Sequence, residues 1–292
     1  MVAWPPFIDL SMPELHGLPA ACAFYLESEP GVTLGVWHIL PKNLAKESKP
    51  SEDYCELLLG DSQPVILYLH GNAGTRAGYH RVQIYKMLSD LNFHVIALDY
   101  RGFGDSTGSP TEKGISDDAM YIYRWLEERA DESKIIIWGH SLGTGVATQL
   151  TKQICDSGGC PARLVLEAPI TSIMEVASEH PLSMPYKYLP FFTPIFLDAI
   201  AKHGASFNNT ENIASVRCPT IILHAKDDPI VPFKFGEKLF QAAEKSRHSE
   251  SEPVHFVAFE DGRGYYHKHL HLAPELPAII EKFVKDGGYV RR

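Results

Sequence analysis

Gly139-His140-Ser141-Leu142-Gly143 places a hydroxyl between two glycines, and the flanks of this segment give it meaning. An apolar run, Lys134-Ile135-Ile136-Ile137-Trp138, precedes it, and Thr144 to Leu150 reads as the start of a helix. A strand that enters a helix through Gly-x-Ser-x-Gly makes a tight turn and lifts the serine hydroxyl above the sheet, at the amino end of the helix. Ser141 must then take a strained backbone conformation. Gly139 and Gly143 keep side chains out of the space where strand and helix nearly touch. The chemistry open to such a serine is nucleophilic attack on an acyl carbon.

A serine nucleophile needs a base, and the base needs an orienting acid. In this kind of turn the acid, then the histidine, follow the serine along the chain. His224-Ala225-Lys226-Asp227-Asp228-Pro229 lies just beyond a strand-like run, Pro219 to His224. Asp228 is the expected acid, because a residue before proline is held in an extended conformation. Asp227 is expected to form a turn, or to accept hydrogen bonds at one remove. The last strand-like run, Val254 to Phe259, feeds Glu260-Asp261-Gly262-Arg263-Gly264-Tyr265-Tyr266-His267, which makes His267 the expected base. His269 and His271 are its rivals. These histidines form a tract, but no cysteine stands at a spacing that completes a zinc site, so no metal is expected.

Charge that builds on the substrate oxygen needs two backbone donors. Leu142, the residue after the nucleophile, supplies one N–H. The loop after an early strand supplies the other, and Leu67-Tyr68-Leu69-His70-Gly71-Asn72-Ala73-Gly74 fits that place. Gly71 lets the backbone come close to the substrate, and Asn72 N–H is the expected second donor.

These groups are far apart in the chain, so a scaffold must gather them. Pro64 to His70, His94 to Tyr100, Lys134 to Gly139, Arg163 to Glu167, Pro219 to His224 and Val254 to Phe259 read as strands. They are apolar at nearly every position, as strands buried on both faces are. Helical patterns lie between them. Val82, Ile84, Tyr85, Leu88 and Leu91 mark one; Ala119, Ile122, Trp125 and Leu126 mark another, entered through Ser116-Asp117-Asp118 as its cap. Leu239, Phe240 and Ala243 mark a third, and Leu276, Ile279, Ile280 and Phe283 a fourth. The alternation predicts an α/β fold, a mostly parallel central sheet flanked by helices. Cys22 to Leu40 reads as an antiparallel hairpin on the sheet edge, turning at Glu29-Pro30-Gly31. From Ile170 to Arg217 no strand signal appears, and about fifty residues are too many for a simple connection. A helical cap is expected there, at about 170–217 of a single domain spanning 1–292, with Tyr186, Tyr188, Phe191, Phe192 and Phe196 lining an apolar channel.

The formal net charge of −9 argues against nucleic acid as the main partner. No run approaches the ~18 apolar residues of a membrane span, and Met1 to Phe7 has neither region of a signal peptide. A soluble chain, or one with peripheral membrane contact, is expected. The five cysteines, at 22, 55, 155, 160 and 218, are expected to be free thiols, with Cys155 and Cys160 able to pair in an oxidising compartment. No Gly-rich loop ends in Lys-Ser or Lys-Thr, and Gly102-Phe103-Gly104 leads to Asp105-Ser106 rather than to a helix-opening glycine. This excludes a nucleotide site, and no cofactor is expected. Asp99 and Arg101 are expected to build a structural turn.

Leu69-His70-Gly71-Asn72-Ala73, Asp99-Tyr100-Arg101-Gly102-Phe103-Gly104, the Ser141 motif and His224-Ala225-Lys226-Asp227-Asp228 together resemble α/β-hydrolase-domain proteins. More narrowly, Trp138 to Thr148, Asp228-Pro229-Ile230-Val231-Pro232-Phe233 and Gly264-Tyr265-Tyr266-His267-Lys268 are similar to the lysophosphatidylserine and monoacylglycerol lipase branch, especially its less-studied B paralogue. The resemblance runs from about Pro5 to Lys285. It implies an α/β-hydrolase fold and a serine hydrolase of the endoplasmic reticulum membrane. The implied substrate is an ester of a single-chain lipid, a lysophospholipid or a monoacylglycerol. It also carries Ser141, Asp228 and His267 into the catalytic roles argued above. The branch is anchored by an N-terminal membrane helix, and no such helix is expected from this sequence. Asn208-Asn209-Thr210 matches a glycosylation acceptor. The residues leave other readings open: a protein depalmitoylase or short-chain esterase would use the same triad, and a non-catalytic lipid- or partner-binding member would keep the fold.

Overall fold

The computed structural model describes residues 8–45, 48–179, 207–247 and 252–286. Its eight strands are β1 (Ala21–Glu29), β2 (Val32–Ile39), β3 (Val65–Leu69), β4 (His94–Leu98), β5 (Ile135–His140), β6 (Arg163–Glu167), β7 (Thr220–Ala225) and β8 (Val254–Phe259). They form one sheet in the order β1-β2-β4-β3-β5-β6-β7-β8. β1 pairs with β2 and β2 with β4 antiparallel; every other neighbouring pair is parallel. The chain winds outward from β3 to β4, then returns past β3 to β5. The crevice beyond the carboxyl ends of β3 and β5 is therefore a switch point, the place where such sheets bind ligands.

Helices cover both faces: α1 (Glu52–Leu58), α2 (Tyr79–Asp90), α3 (Glu112–Glu127), α4 (Leu142–Asp156), α5 (Ile173–Glu179), α6 (Asn209–Asn212), α7 (Phe233–Ser246) and α8 (Leu276–Asp286). Successive strand residues point to opposite faces, which divides the core in two. Leu67, Ile137, Leu166 and Ile222 face Ile122 of α3, Val146 and Leu150 of α4 and Leu239 of α7. Ile66, Tyr68, Trp138, Val165 and Leu223 face Val82 and Leu88 of α2 and Ile280 and Phe283 of α8. Both faces are covered, so β3, β4, β5 and β7 are buried along their whole length. Truncating one such Leu or Ile to Ala typically costs about 2–5 kcal/mol.

Three expectations need correction. α3 begins at Glu112, not near Ser116, and Thr111 caps it by accepting the Gly114 N–H at 3.0 Å. Ser116 lies inside the helix and donates to Glu112 O, while buried Asp118 binds Arg101 at 2.7 Å. The acidic run thus serves an arginine rather than a cap, and Arg101 builds the strand-end turn as expected. The second correction is α1, which no periodic pattern announces. The third is that not all cysteines are free: Cys22 of β1 and Cys55 of α1 form a disulfide, their Cα atoms 6.7 Å apart. Packing of α1 against β1 brings them together across a separation that motif spacing does not reveal. Cys155, Cys160 and Cys218 are free thiols, with the Cys155 and Cys160 sulfurs 3.3 Å apart.

The described parts of the expected cap, 170–179 and 207–217, contain α5, α6 and the 3-10 turn Ile213–Ser215, with no strand among them. Its centre, including Tyr186, Tyr188, Phe191, Phe192 and Phe196, lies outside the described residues. Among the described residues no helix is long and apolar enough to cross a membrane.

Candidate active site

The site is built where β3, β5 and α4 cross. Ser141 leaves β5 and caps α4 with φ +54° and ψ −118°. A non-glycine residue rarely adopts such a conformation, and surrounding contacts must hold it there. They do: Ser141 N–H donates to Glu167 O at 3.0 Å, and Thr144 donates to Ser141 O through N–H at 2.9 Å and Oγ1 at 2.6 Å. The flanking glycines are required by contact. A Cβ on Gly139 would lie 2.8 Å from Ala147 Cβ, and one on Gly143 would lie 2.6 Å from the Leu69 carbonyl carbon.

His267 Nε2 lies 2.9 Å from Ser141 Oγ, and its Nδ1 lies 2.7 Å from Asp228 Oδ2. The matching tautomer donates Nδ1–H to the carboxylate and accepts the serine proton at Nε2. Asp228 is buried, and its Oδ1 accepts the N–H groups of Ile230 at 2.8 Å and Val231 at 2.9 Å. Burial pushes the Asp228 carboxyl up. Hydrogen bonds from His224 and His267, with their charges, more than reverse this and hold it well below the usual carboxylate range. Asp228 therefore stays ionised at neutral pH, as stabilising an imidazolium requires.

Asp227 accepts at one remove, as its position suggests. Its carboxylate takes the Gly264 N–H at 3.2 Å and the Tyr266 N–H at 2.9 Å. Tyr266 has φ +45°, so these bonds hold a strained residue immediately before His267. His269 and His271 do not share the base's position. Their rings meet edge to face with centroids 5.6 Å apart, and His271 meets Tyr79 in the same way at 6.2 Å.

The two expected donors come from the residue after the serine and from the loop after β3. Leu142 is the first residue of α4, where backbone N–H groups have no helical acceptor. Asn72 follows β3 in a loop pressed against the nucleophile: a Cβ on Gly71 would come 3.0 Å from Ser141 Cβ and 3.1 Å from His140 Nδ1.

Three neighbours of the triad escaped the sequence reading. His140 Nε2–H donates to His267 O at 2.8 Å. Burial, then the charge of His267, keeps this imidazole well below its usual range, so it is a neutral donor. His224, at the end of β7, lies 3.3 Å from Asp228 Oδ2 and donates to Val231 O at 3.0 Å. Glu167, the last residue of β6, is buried and accepts Trp138 Nε1–H at 2.9 Å. Burial pushes its carboxyl up to about 7, against the Trp138 hydrogen bond and with help from the charge of Asp228. The one sequence signal common to all three was a polar residue at, or one before, the end of an apolar strand.

The chain is similar to known proteins in both sequence and fold. A family model described as the alpha/beta hydrolase fold matches residues 64–157. Lysophosphatidylserine lipase ABHD12 of Danio rerio is 47% identical over 282 residues, 96% of this chain and 74% of that protein. Protein ABHD12B of Homo sapiens is 41% identical over 283 residues, 96% of this chain and 76% of that protein. Among solved structures, an esterase of Pyrococcus furiosus superposes with a TM-score of 0.70 at 16% identity, covering 98% of this chain and 97% of its own.

Proposed function

This chain belongs to the ABHD12 family of α/β hydrolases, and from that footing we propose that it is a serine hydrolase cleaving carboxylic esters of single-chain lipids. The observation that carries the reading is the continuous contact Ser141 Oγ–His267 Nε2 and His267 Nδ1–Asp228 Oδ2. His267 takes the proton as Ser141 attacks the ester carbonyl. Asp228 holds the tautomer and stabilises the imidazolium. The N–H groups of Leu142 and Asn72 receive the oxyanion, each worth about 3 kcal/mol of transition-state stabilisation. The alcohol leaves with the proton from His267, and water then hydrolyses the acyl-enzyme by the same route.

The names of the relatives point to a lysophospholipid such as lysophosphatidylserine; a monoacylglycerol, also an ester with one acyl chain, belongs to the same proposal. Placement at the endoplasmic reticulum membrane, by peripheral contact, belongs to the same proposal. A substrate panel on the full chain tests it: lysophospholipids, monoacylglycerols, palmitoyl thioesters and short nitrophenyl esters. Single-chain lipid esters should have the highest kcat/KM. Each methylene held in an apolar channel adds about 0.8 kcal/mol of binding, so rate should rise with chain length. Preference for thioesters or short esters would replace the lipid reading with a depalmitoylase or a general esterase. A folded chain that no fluorophosphonate labels would make it a non-catalytic member.

A further inference from the structure

Arg81 has no part in the proton transfers, yet its side chain is turned into the protein beside them. It lies in the first turn of α2, and 2% of it is exposed. Asp99, which feels its charge, pairs with Arg76 and His70 instead. The Arg81 guanidinium is given to backbone carbonyls: Nη1 donates to Thr75 O at 2.5 Å, and Nη2 to Ala73 O at 2.7 Å and Gly71 O at 3.1 Å. All three carbonyls belong to the loop after β3.

Peptide geometry gives these bonds a consequence. Gly71 C=O and Asn72 N–H are opposite ends of one trans peptide plane and point in opposite directions. A carbonyl held on Arg81 therefore turns the Asn72 N–H the other way. The loop does not secure this shape by itself, since Ala73, which carries a Cβ, has φ of +63°. A flipped plane would put a carbonyl oxygen where the oxyanion forms. His70 Nδ1 also lies 2.7 Å from Gly71 O, while its Nε2 faces Asp99 at 3.2 Å. Burial, then the charge of Arg81, lowers the His70 imidazole below its usual range. A neutral ring has one N–H and serves only one of those acceptors, whereas Arg81 is a donor in every state.

We propose that Arg81 is the positioning residue of the oxyanion hole: its guanidinium holds the Gly71–Asn72 peptide so that the Asn72 N–H faces the acyl oxygen. The proposal rests on the reading of Ser141 as an acyl nucleophile. Arg81→Gln and Arg81→Lys are compared with the wild-type full chain on its best ester, with thermal melting to check the fold and fluorophosphonate titration to count sites. Arg81→Gln should lose about 10²-fold in kcat with KM within about threefold, the signature of one missing donor. Its affinity for a phenylboronic acid, a tetrahedral mimic, should fall by the same factor, and Arg81→Lys should recover part of both. Full kcat in folded Arg81→Gln, or a loss confined to KM, overturns the proposal. If both variants unfold, a crystal structure of the wild-type phosphonate adduct decides. Asn72 N–H on the phosphonyl oxygen with Gly71 O on Arg81 supports the proposal; the Gly71 carbonyl facing the adduct overturns it. A wild type that turns over no ester and takes no fluorophosphonate refutes the nucleophile reading itself, a different result from an active enzyme indifferent to Arg81.

Discussion

Asp227 and Asp228 are neighbours in the chain and grip His267 at two levels. Asp228 takes the ring, through Nδ1–H at 2.7 Å. Asp227 takes the backbone leading to it, through the N–H groups of Gly264 and Tyr266. One loop after β7 thus sets both the tautomer of His267 and the path of the loop that delivers it.

The two carboxylates should separate in kinetics. Asp228→Asn should lower kcat by about 10⁴-fold, since an amide can hold the wrong tautomer. Asp227→Ala leaves the ring contact in place and loosens its support, so a fall of about 10-fold is expected, of the size seen when a supporting shell is removed. Equal losses from steady-state assays would contradict this division.

Ser141→Ala should abolish ester hydrolysis and fluorophosphonate labelling while leaving the melting temperature nearly unchanged. The contacts that hold residue 141 at φ +54° are made by its backbone, so they persist in that variant. Normal turnover by purified Ser141→Ala would discard the mechanism.

Glu167 makes stability depend on pH. Its carboxyl titrates at about 7 in the folded chain, against about 4.3 unfolded. The folded state therefore holds the extra proton between these values. The contribution to stability is fully present below the unfolded value and is lost as pH rises through 7. Glu167→Gln cannot ionise and can still accept the Trp138 N–H. Between pH 4.5 and pH 8.5 its stability relative to wild type should rise by about 3 kcal/mol. Urea unfolding at both pH values measures this, and a constant difference would refute it.

Glycines at the crossing should fail in different ways. An added Cβ at Gly143 meets the rigid β3 backbone at Leu69, so Gly143→Ala should lose several kcal/mol, on the order of 3, or fail to fold. An added Cβ at Gly71 meets Ser141 Cβ at 3.0 Å, which a shift of a few tenths of an ångström relieves. Gly71→Ala should therefore fold and lose rate, by about 10-fold or more, because small misplacements of reacting groups are costly. Melting curves and kcat on the two variants separate these effects.

The Cys22–Cys55 link should show in alkylation. Denatured, unreduced protein should take alkylating agent at Cys155, Cys160 and Cys218 alone. Cys55→Ser should cost about 3–4 kcal/mol, from the loop that the disulfide closes in the unfolded chain. Alkylation at all five cysteines before reduction would overturn the pairing.

Much of the site was legible because it rests on local chemistry. Gly139 and Gly143 announce a turn that admits no side chain. Asp228 stands before Pro229, and His267 is the first histidine after the last strand. Buried parallel strands write long apolar runs, which is why β3 to β8 fall almost where their residues suggest. α1 was invisible because seven residues carry less than two turns of periodicity. The cap of α3 was misplaced because Asp118, which looks like a helix-start residue, is claimed by Arg101 from another strand end.

From sequence alone came the succession of buried strands, the strained serine and the identity of the residues that converge on it, all set by backbone preferences and by spacing along the chain. Tertiary structure alone decided that Arg81 meets three carbonyls, that Cys22 reaches Cys55 and that Glu167 is buried with a raised affinity for its proton. Those outcomes depend on how layers distant in sequence pack together, and the partner that a single polar side chain meets across layers leaves no mark in local pattern.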